Sequence, residues 1–215
     1  MDREKLKAVS LFSGAGGMDL GFIRAGFKII WANDFDRQAC KTYRKNIGDH
    51  IVCGKVEDYI QSLAQHREKV DCLFGGPPCQ GFSVAGKMDL EDERSQLVFR
   101  FMDAVETILP KCFVMENVRA LGALEKFRSV REKLVKKAIQ LGYKVELKIL
   151  NSHDFGVPQS RERMFLFGFL QTDKESQIDS ILHRYTKTSP TVREAIAHLG
   201  PAGTELNPEQ VNAKI

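Results

Sequence analysis

Apolar residues fall into seven short runs along the chain: Ala8–Phe12, Phe27–Ala32, His50–Cys53, Val70–Phe74, Cys112–Glu116, Lys144–Leu150 and Arg163–Leu170. Runs this short, bounded by glycine, proline or polar clusters, predict strands. Between them apolar positions recur at three- and four-residue spacing. That pattern predicts helices near Met18–Ala25, Asp36–Asn46, Val56–Arg67, Ser95–Leu109 and Val130–Leu141. Gly142 follows the last of these where a helix stop favours glycine. Strand–helix–strand alternation predicts an open α/β sheet, parallel through its first half. The last two strand candidates are separated by a loop of about a dozen residues and no helix, so they are expected to pair as an antiparallel edge hairpin. After Gln171 the pattern loosens to one helix, Thr191–Leu199, and a polar tail. The expected division is a main domain over 1–171 and a connecting segment over 172–215.

Composition narrows the class only slightly. The 215 residues are 43% hydrophobic and 28% charged, as in an ordinary globular domain with a full core. No stretch approaches the ~20 apolar residues of a membrane span. The opening Met1-Asp2-Arg3-Glu4-Lys5 lacks the apolar region of a signal peptide, so a cytosolic or nuclear location is expected. A net charge of +4 permits contact with nucleic acid without requiring it. The basic segment with Arg128, Arg131, Lys133, Lys136 and Lys137 reads as a solvated helix face. Five cysteines, an odd number with no Cys-x-x-Cys pair, point to neither a disulfide framework nor a metal site. Cys72 and Cys112 lie in apolar runs, where a thiol acts as a small hydrophobe. Cys79 alone lies in a Gly/Pro loop.

Ligands of open α/β sheets bind beyond the carboxyl ends of the strands, and four loops there carry chemistry. Phe12-Ser13-Gly14-Ala15-Gly16-Gly17 follows the first strand. It reads either as a plain strand-to-helix turn or as a loop whose backbone N–H groups approach a ligand. A dinucleotide fingerprint needs glycine at position 19, where Asp19 stands. The second strand ends in Asn33-Asp34, where an acidic side chain can take both hydroxyls of a ribose. A nucleoside without pyrophosphate satisfies both facts, and S-adenosylmethionine is the candidate. The second loop, Gly75-Gly76-Pro77-Pro78-Cys79-Gln80-Gly81-Phe82-Ser83, uses two prolines to fix the backbone before a thiol. A thiol with an ordinary pKa of ~8.5 needs help to react as thiolate near neutral pH. The third is Met115-Glu116-Asn117-Val118. A glutamate closing an apolar strand is costly unless paired or functional, and a cap, an ion pair and a catalytic role all fit. The fourth, Gln159-Ser160-Arg161-Glu162-Arg163, enters the last strand. Alternation sends Arg161 and Arg163 to one side, which suits an anion or carbonyl partner or a solvated edge.

Taken in order and spacing, these loops resemble the motifs of the cytosine-C5 DNA methyltransferases. Leu150-Asn151-Ser152-His153-Asp154-Phe155-Gly156-Val157-Pro158-Gln159 is similar to that family's lead-in to its arginine motif, and Thr191–Ile196 to the segment before its DNA-recognition region. The resemblance runs from about Ala8 to Leu199. It implies a Rossmann-like, S-adenosylmethionine-dependent methyltransferase sheet, with S-adenosylhomocysteine as product. It implies a duplex DNA substrate, base flipping, and a location that is nucleoid-associated in a bacterium or nuclear in a eukaryote.

The resemblance also implies roles. Cys79 would attack carbon 6 of cytosine, and Glu116 would hold or protonate ring N3. Arg163 would contact the base carbonyl, supported by Arg161. Cofactor contacts would come from Phe12, Ser13, Gly14, Ala15, Gly17, Asn33, Asp34, Phe35, Val56, Gly76, Pro78 and Leu97. DNA contacts would come from Gln80, Ser83, Lys87, Arg94 and Gln159. The stretch Ser83–Ser95 corresponds to a loop that closes over DNA, and is acidic in its second half. Asp34 stands where glutamate is more frequent, and Lys55 where an aspartate often meets the adenine amino group. The family's variable recognition region and closing Gly-Asn segment do not occur before Ile215. A second subunit or C-terminal half is expected to carry them, unless the chain is a shortened product or a decayed gene. A tRNA cytosine methyltransferase is the alternative, but that branch usually reads Pro-Pro-Cys-Gln-Pro-Phe-Thr, and Gly81 and Ser83 favour DNA. A catalytically dead partner subunit is the non-enzyme alternative.

Overall fold

Strand β1 (Lys7–Leu11) is buried on both faces, and its alternating side chains start two separate cores. A computed structural model describes residues 5–78, 93–170 and 177–200, with the backbone alone over 93–95. Val9 and Leu11 join Leu73, Phe113 and Met115 in one apolar cluster, whereas Ala8 joins Cys72 and Phe74 in another. Successive strand residues point to opposite faces, so the two clusters lie on the two sides of one sheet. Helices α3 (Glu93–Ile108) and α5 (Arg128–Gln140) cover the first side with Phe101, Met102, Val105, Leu134 and Ala138. Helices α1 (Gly17–Arg24) and α2 (Arg37–Asn46) cover the other with Met18, Phe22, Cys40 and Tyr43. Asp36 caps α2, its carboxylate accepting the backbone N–H groups of Gln38 and Ala39 at 2.7 and 2.8 Å.

The sheet also contains β2 (Lys28–Asp34), β3 (Ile51–Cys53), β4 (Cys72–Gly75), β5 (Cys112–Val118), β6 (Tyr143–Asn151) and β7 (Glu162–Leu170). Its order is β3-β2-β1-β4-β5-β7-β6. Pairings from β3 to β5 are parallel, and β5 meets β7 antiparallel. All seven expected strands form, and the last two are neighbours at the edge. The chain leaves β1 toward β2 and β3, then returns to β4 on the opposite side of β1. That reversal is a topological switch point, where open α/β sheets leave a crevice for ligands.

Three expectations for local structure need correction. The segment expected as a helix over Val56–Arg67 is two 3-10 turns, Val56–Asp58 and Gln61–His66. Its apolar positions Val56, Ile60 and Leu63 mimic helical spacing, but the bond from Tyr59 N–H to the Val56 carbonyl closes a tighter ring. A short helix, α4 (Arg119–Ala123), follows β5, and α6 (Ile178–Tyr185) stands where the pattern predicted none. The helix expected at Thr191–Leu199 is α7 (Val192–Ile196) followed by a 3-10 turn.

By its contacts the chain divides into two units, Met1–Ile149 with Arg163–Lys174, and Leu150–Glu162 with Glu175–Ile215. In the second, Lys187 N–H donates to the Asp154 carbonyl and the Ser189 hydroxyl lies 2.7 Å from the carbonyls of His153 and Val157. Thr191 and Glu194 form a reciprocal capping box on α7. Those bonds from Thr191 hold the Glu194 carboxyl below the usual carboxylate range.

Packing on the α3/α5 side centres on Phe113, which is fully buried with its ring edge-on to Tyr143 at 5.1 Å. Phe113→Ala is expected to cost about 3–5 kcal/mol. Urea unfolding should show a lower midpoint with little change in slope.

Candidate active site

The loops after β1 and β4 meet at the switch point because glycines let them. Gly16 has φ +92°, and a side chain there would strike Ile47 and the Tyr43 ring. A Cβ on Gly75 would land on the Leu11 carbonyl oxygen, so β4 can approach β1 this closely only with glycine. Phe12 takes φ +53°, a conformation that L-residues rarely adopt and that marks the turn out of β1 as strained. Ser13 N–H donates to the Asn33 carbonyl at 2.9 Å, tying this loop to the end of β2.

A cavity of about 340 Å³ opens between these loops. Its wall includes Ser10, Phe12, Ser13, Asp19, Gly76 and Glu116, with Phe165 closing one side. Four residues expected at the site therefore share one wall: Phe12, Ser13, Gly76 and Glu116. Leu97 is part-buried against the α3/α5 core, and Pro78 is part-buried at the end of its loop.

The acidic step at the end of β2 is bound to the glycine loop. Asp34 Oδ2 accepts the Gly14 N–H at 2.7 Å and Oδ1 accepts the Asp36 N–H at 2.9 Å. Each oxygen keeps a lone pair for a further donor. Its neighbour Phe35 is 69% exposed, an aromatic face open to stacking. The Asn33 amide donates to the carbonyls of Val52 and Gly54 and ties β2 to β3. Val56 is buried under this region, whereas Ala15 and Gly17 are exposed on the loop.

Glu116 and Arg163 meet across two strands. The register sets Glu116 opposite Phe165 and Val118 opposite Arg163, so Arg163 is the diagonal neighbour of Glu116 on the same face. Arg163 Nε lies 3.1 Å from Glu116 Oε1, with both side chains about one quarter exposed. The glutamate that closes an apolar strand is thus ion-paired, half-sheltered and part of the cavity wall. Asn117 is almost wholly buried, and its amide donates to the Pro77 carbonyl at 3.0 Å. The sequence reading places Asn117 in the third loop but gives it no role of its own. Its signal was an amide beside a glutamate in an otherwise apolar strand. Asn117→Ala would leave the Pro77 carbonyl without its donor. It is expected to cost about 1–3 kcal/mol in chemical unfolding, and to loosen the proline loop.

A match to the C-5 cytosine-specific DNA methylase family runs over residues 6–213. The chain belongs to this family. It is 39% identical over 223 aligned positions to the type II methyltransferase M.AquIA of Picosynechococcus, covering 91% of this chain and 90% of that one. It is 41% identical over 165 positions to M.FnuDI of Fusobacterium nucleatum, covering 76% of this chain and 47% of that one. The chain thus spans about half the length of M.FnuDI. Among solved structures it superposes on a prophage-encoded E. coli protein assigned as a DNA modification methyltransferase. The TM-score is 0.75 at 29% identity, over 92% of this chain and 56% of that one. The methyltransferase Dnmt2 of S. pombe shares the fold, with a TM-score of 0.65 at 23% identity, over 85% of this chain and 55% of that one.

Cys79, Gln80, Ser83 and Lys87 are outside the described residues, as is the side chain of Arg94. Gln159 and Arg161 belong to the second unit. There the Asn151 carboxamide oxygen accepts the N–H groups of His153 and Arg161, and the Ser152 hydroxyl donates to the Gln159 carbonyl at 2.7 Å. Both side chains are exposed. Strand β7 starts at Glu162, so strand alternation does not extend to Arg161 and does not by itself pair it with Arg163. Among the described residues, no group of three or more His, Cys, Asp or Glu could hold a metal ion, and no helix is long and apolar enough to cross a membrane. The cationic side chains of α5 are largely engaged within the fold. Arg128 pairs with Glu125 and Glu132, Lys137 with Asp103 and Glu106, and Arg131 donates to the carbonyls of Leu121 and Leu124.

Proposed function

We propose that this family member methylates carbon 5 of cytosine in duplex DNA, using S-adenosylmethionine, a flipped-out base and a covalent bond to Cys79. The observation that carries the proposal is Glu116, ion-paired to Arg163, in the wall of a cavity shared with the glycine loop. An acid and the cofactor loop meet there at the sheet's switch point.

The residues present suit the cofactor. Asp34, anchored by the Gly14 N–H, retains lone pairs for ribose hydroxyls, and exposed Phe35 offers a face for a purine. Phe12, Ser13 and Gly76 line the cavity toward Glu116. Bound S-adenosylmethionine supplies an electrophilic methyl group. Cytosine carbon 5 is too weak a nucleophile to accept it unaided, and the Cys79 thiolate corrects this by bonding to carbon 6, which turns the ring into an enamine. Glu116, once it has taken up a proton, gives a proton or hydrogen bond to N3 as charge builds there, and Arg163 holds both Glu116 and the base carbonyl. Loss of the carbon-5 proton then expels the thiolate and restores the ring. A stacked base is out of reach of these groups, hence the flip.

DNA is favoured over tRNA by Gly81 and Ser83 in the cysteine motif and by the type II methyltransferases among the relatives. Transfer of labelled methyl from S-adenosylmethionine to matched duplex DNA and tRNA tests the choice. Labelled 5-methylcytosine in DNA is expected, and label in tRNA alone would overturn the assignment.

A further inference from the structure

A buried chain of hydrogen bonds leads from His50, just ahead of β3, to the cavity wall, and every proton in it points toward Asp19. Asp19 is fully buried at the third position of α1. Its Oδ1 accepts the Tyr43 hydroxyl at 2.8 Å and its Oδ2 accepts the Ser10 hydroxyl at 3.0 Å. Tyr43 has one proton, committed to Asp19, so the contact with His50 Nε2 at 3.0 Å requires that nitrogen to carry a proton and donate. On the other side, Ser10 has given its only proton to Asp19. The 2.8 Å contact between the hydroxyls of Ser10 and Ser13 is therefore donated by Ser13, whose alternative acceptor is the Ser10 carbonyl at 3.3 Å. Both acceptors lie on β1, so in either case the Ser13 proton is engaged there and only oxygen lone pairs remain for a ligand.

We infer that Asp19 is a positioning residue that fixes the polarity of Ser13, making its hydroxyl an acceptor for the α-ammonium of the cofactor's amino-acid end. A Ser13 free to donate would suit the carboxylate at that same end. An acceptor-only Ser13, with buried Asp19 behind it and Glu116 elsewhere in the wall, suits the cation. Burial raises the Asp19 carboxyl above its ordinary range, and the bonds from Tyr43 and Ser10 offset only part of that rise. Burial also lowers His50, which is consistent with a neutral imidazole protonated on Nε2. The inference explains why aspartate rather than glycine occupies position 19, and it rests on the cofactor assignment above.

The test is calorimetric binding of S-adenosylhomocysteine, its deaminated analogue and its decarboxylated analogue to the full-length protein. The unmodified protein is expected to prefer S-adenosylhomocysteine over the deaminated analogue by at least tenfold. Ser13→Ala should reduce that preference to threefold or less and leave affinity for the deaminated analogue unchanged within twofold. Asp19→Asn, which replaces one of the two accepting oxygens by a donating NH₂, should do the same. The double variant should lose no more than either alone, because the residues act in series. Should Asp19→Asn fail to fold, Ser13→Ala decides the matter, since its hydroxyl stands at the cavity wall. A preference that survives Ser13→Ala, or one lost equally for all three ligands, would overturn the inference. Failure of the unmodified protein to bind any of the three would instead overturn the cofactor assignment.

Discussion

Cys79→Ala is expected to abolish methyl transfer, with a loss of roughly 10⁴-fold or more, as when other covalent nucleophiles are removed. The magnitude follows from the chemistry, since without an adduct at carbon 6 the ring offers no enamine to accept a methyl group. The other cysteines should not substitute. Cys40 is buried in the α1/α2 core, its thiol donates to the Asp34 carbonyl, and burial pushes its pKa up to about 12. A hydrogen bond with Cys112 and burial raise Cys72 as well. Alanine at either position should alter stability more than transfer, and binding of S-adenosylhomocysteine should survive Cys79→Ala. Stopped assays with labelled cofactor measure the first effect, and calorimetry the second.

Glu116→Gln is expected to lower the rate of transfer by roughly 10²–10⁴-fold, the span found for general acids. Glutamine keeps the shape and can still donate a hydrogen bond to N3, but it cannot release a proton. It also replaces a carboxylate that Arg163 holds at 3.1 Å. The loss should appear in kcat far more than in KM for DNA, because the interaction matters chiefly once charge develops on the ring. A variant with unchanged kcat would show that Glu116 serves only as the ion-pair partner of Arg163.

Short apolar runs located all seven strands; inner strands such as β1 and β4, buried on both faces, read as nearly continuous apolar stretches. Glycine-rich turns located the loops, and the sheet's reversal at β1 brought them together. Less legible was anything set by tertiary contact. The Val56–Arg67 stretch carried helical spacing yet closed 3-10 turns, and α6 was too short for its apolar stripe to stand out. The Asn33 amide also ties β2 to β3, a role visible only once Val52 and Gly54 lie beside it. The Asp19 network joins residues 10, 13, 19, 43 and 50 from five separate segments, and no spacing rule links them. The pairing of Glu116 with Arg163 needed the antiparallel register of β5 and β7, which periodicity alone does not fix.

The covalent step can be observed directly. A duplex carrying 5-fluorocytosine at the target position retains fluorine where a proton must leave, so the enzyme cannot release the base after methyl transfer. Incubated with the full-length protein and S-adenosylmethionine, this duplex is expected to give a denaturation-resistant complex whose mass is protein plus DNA plus one methyl group, attached through the peptide that contains Cys79. Absence of any such complex with protein that methylates ordinary cytosine, or a complex that persists in Cys79→Ala, would contradict nucleophilic catalysis by Cys79.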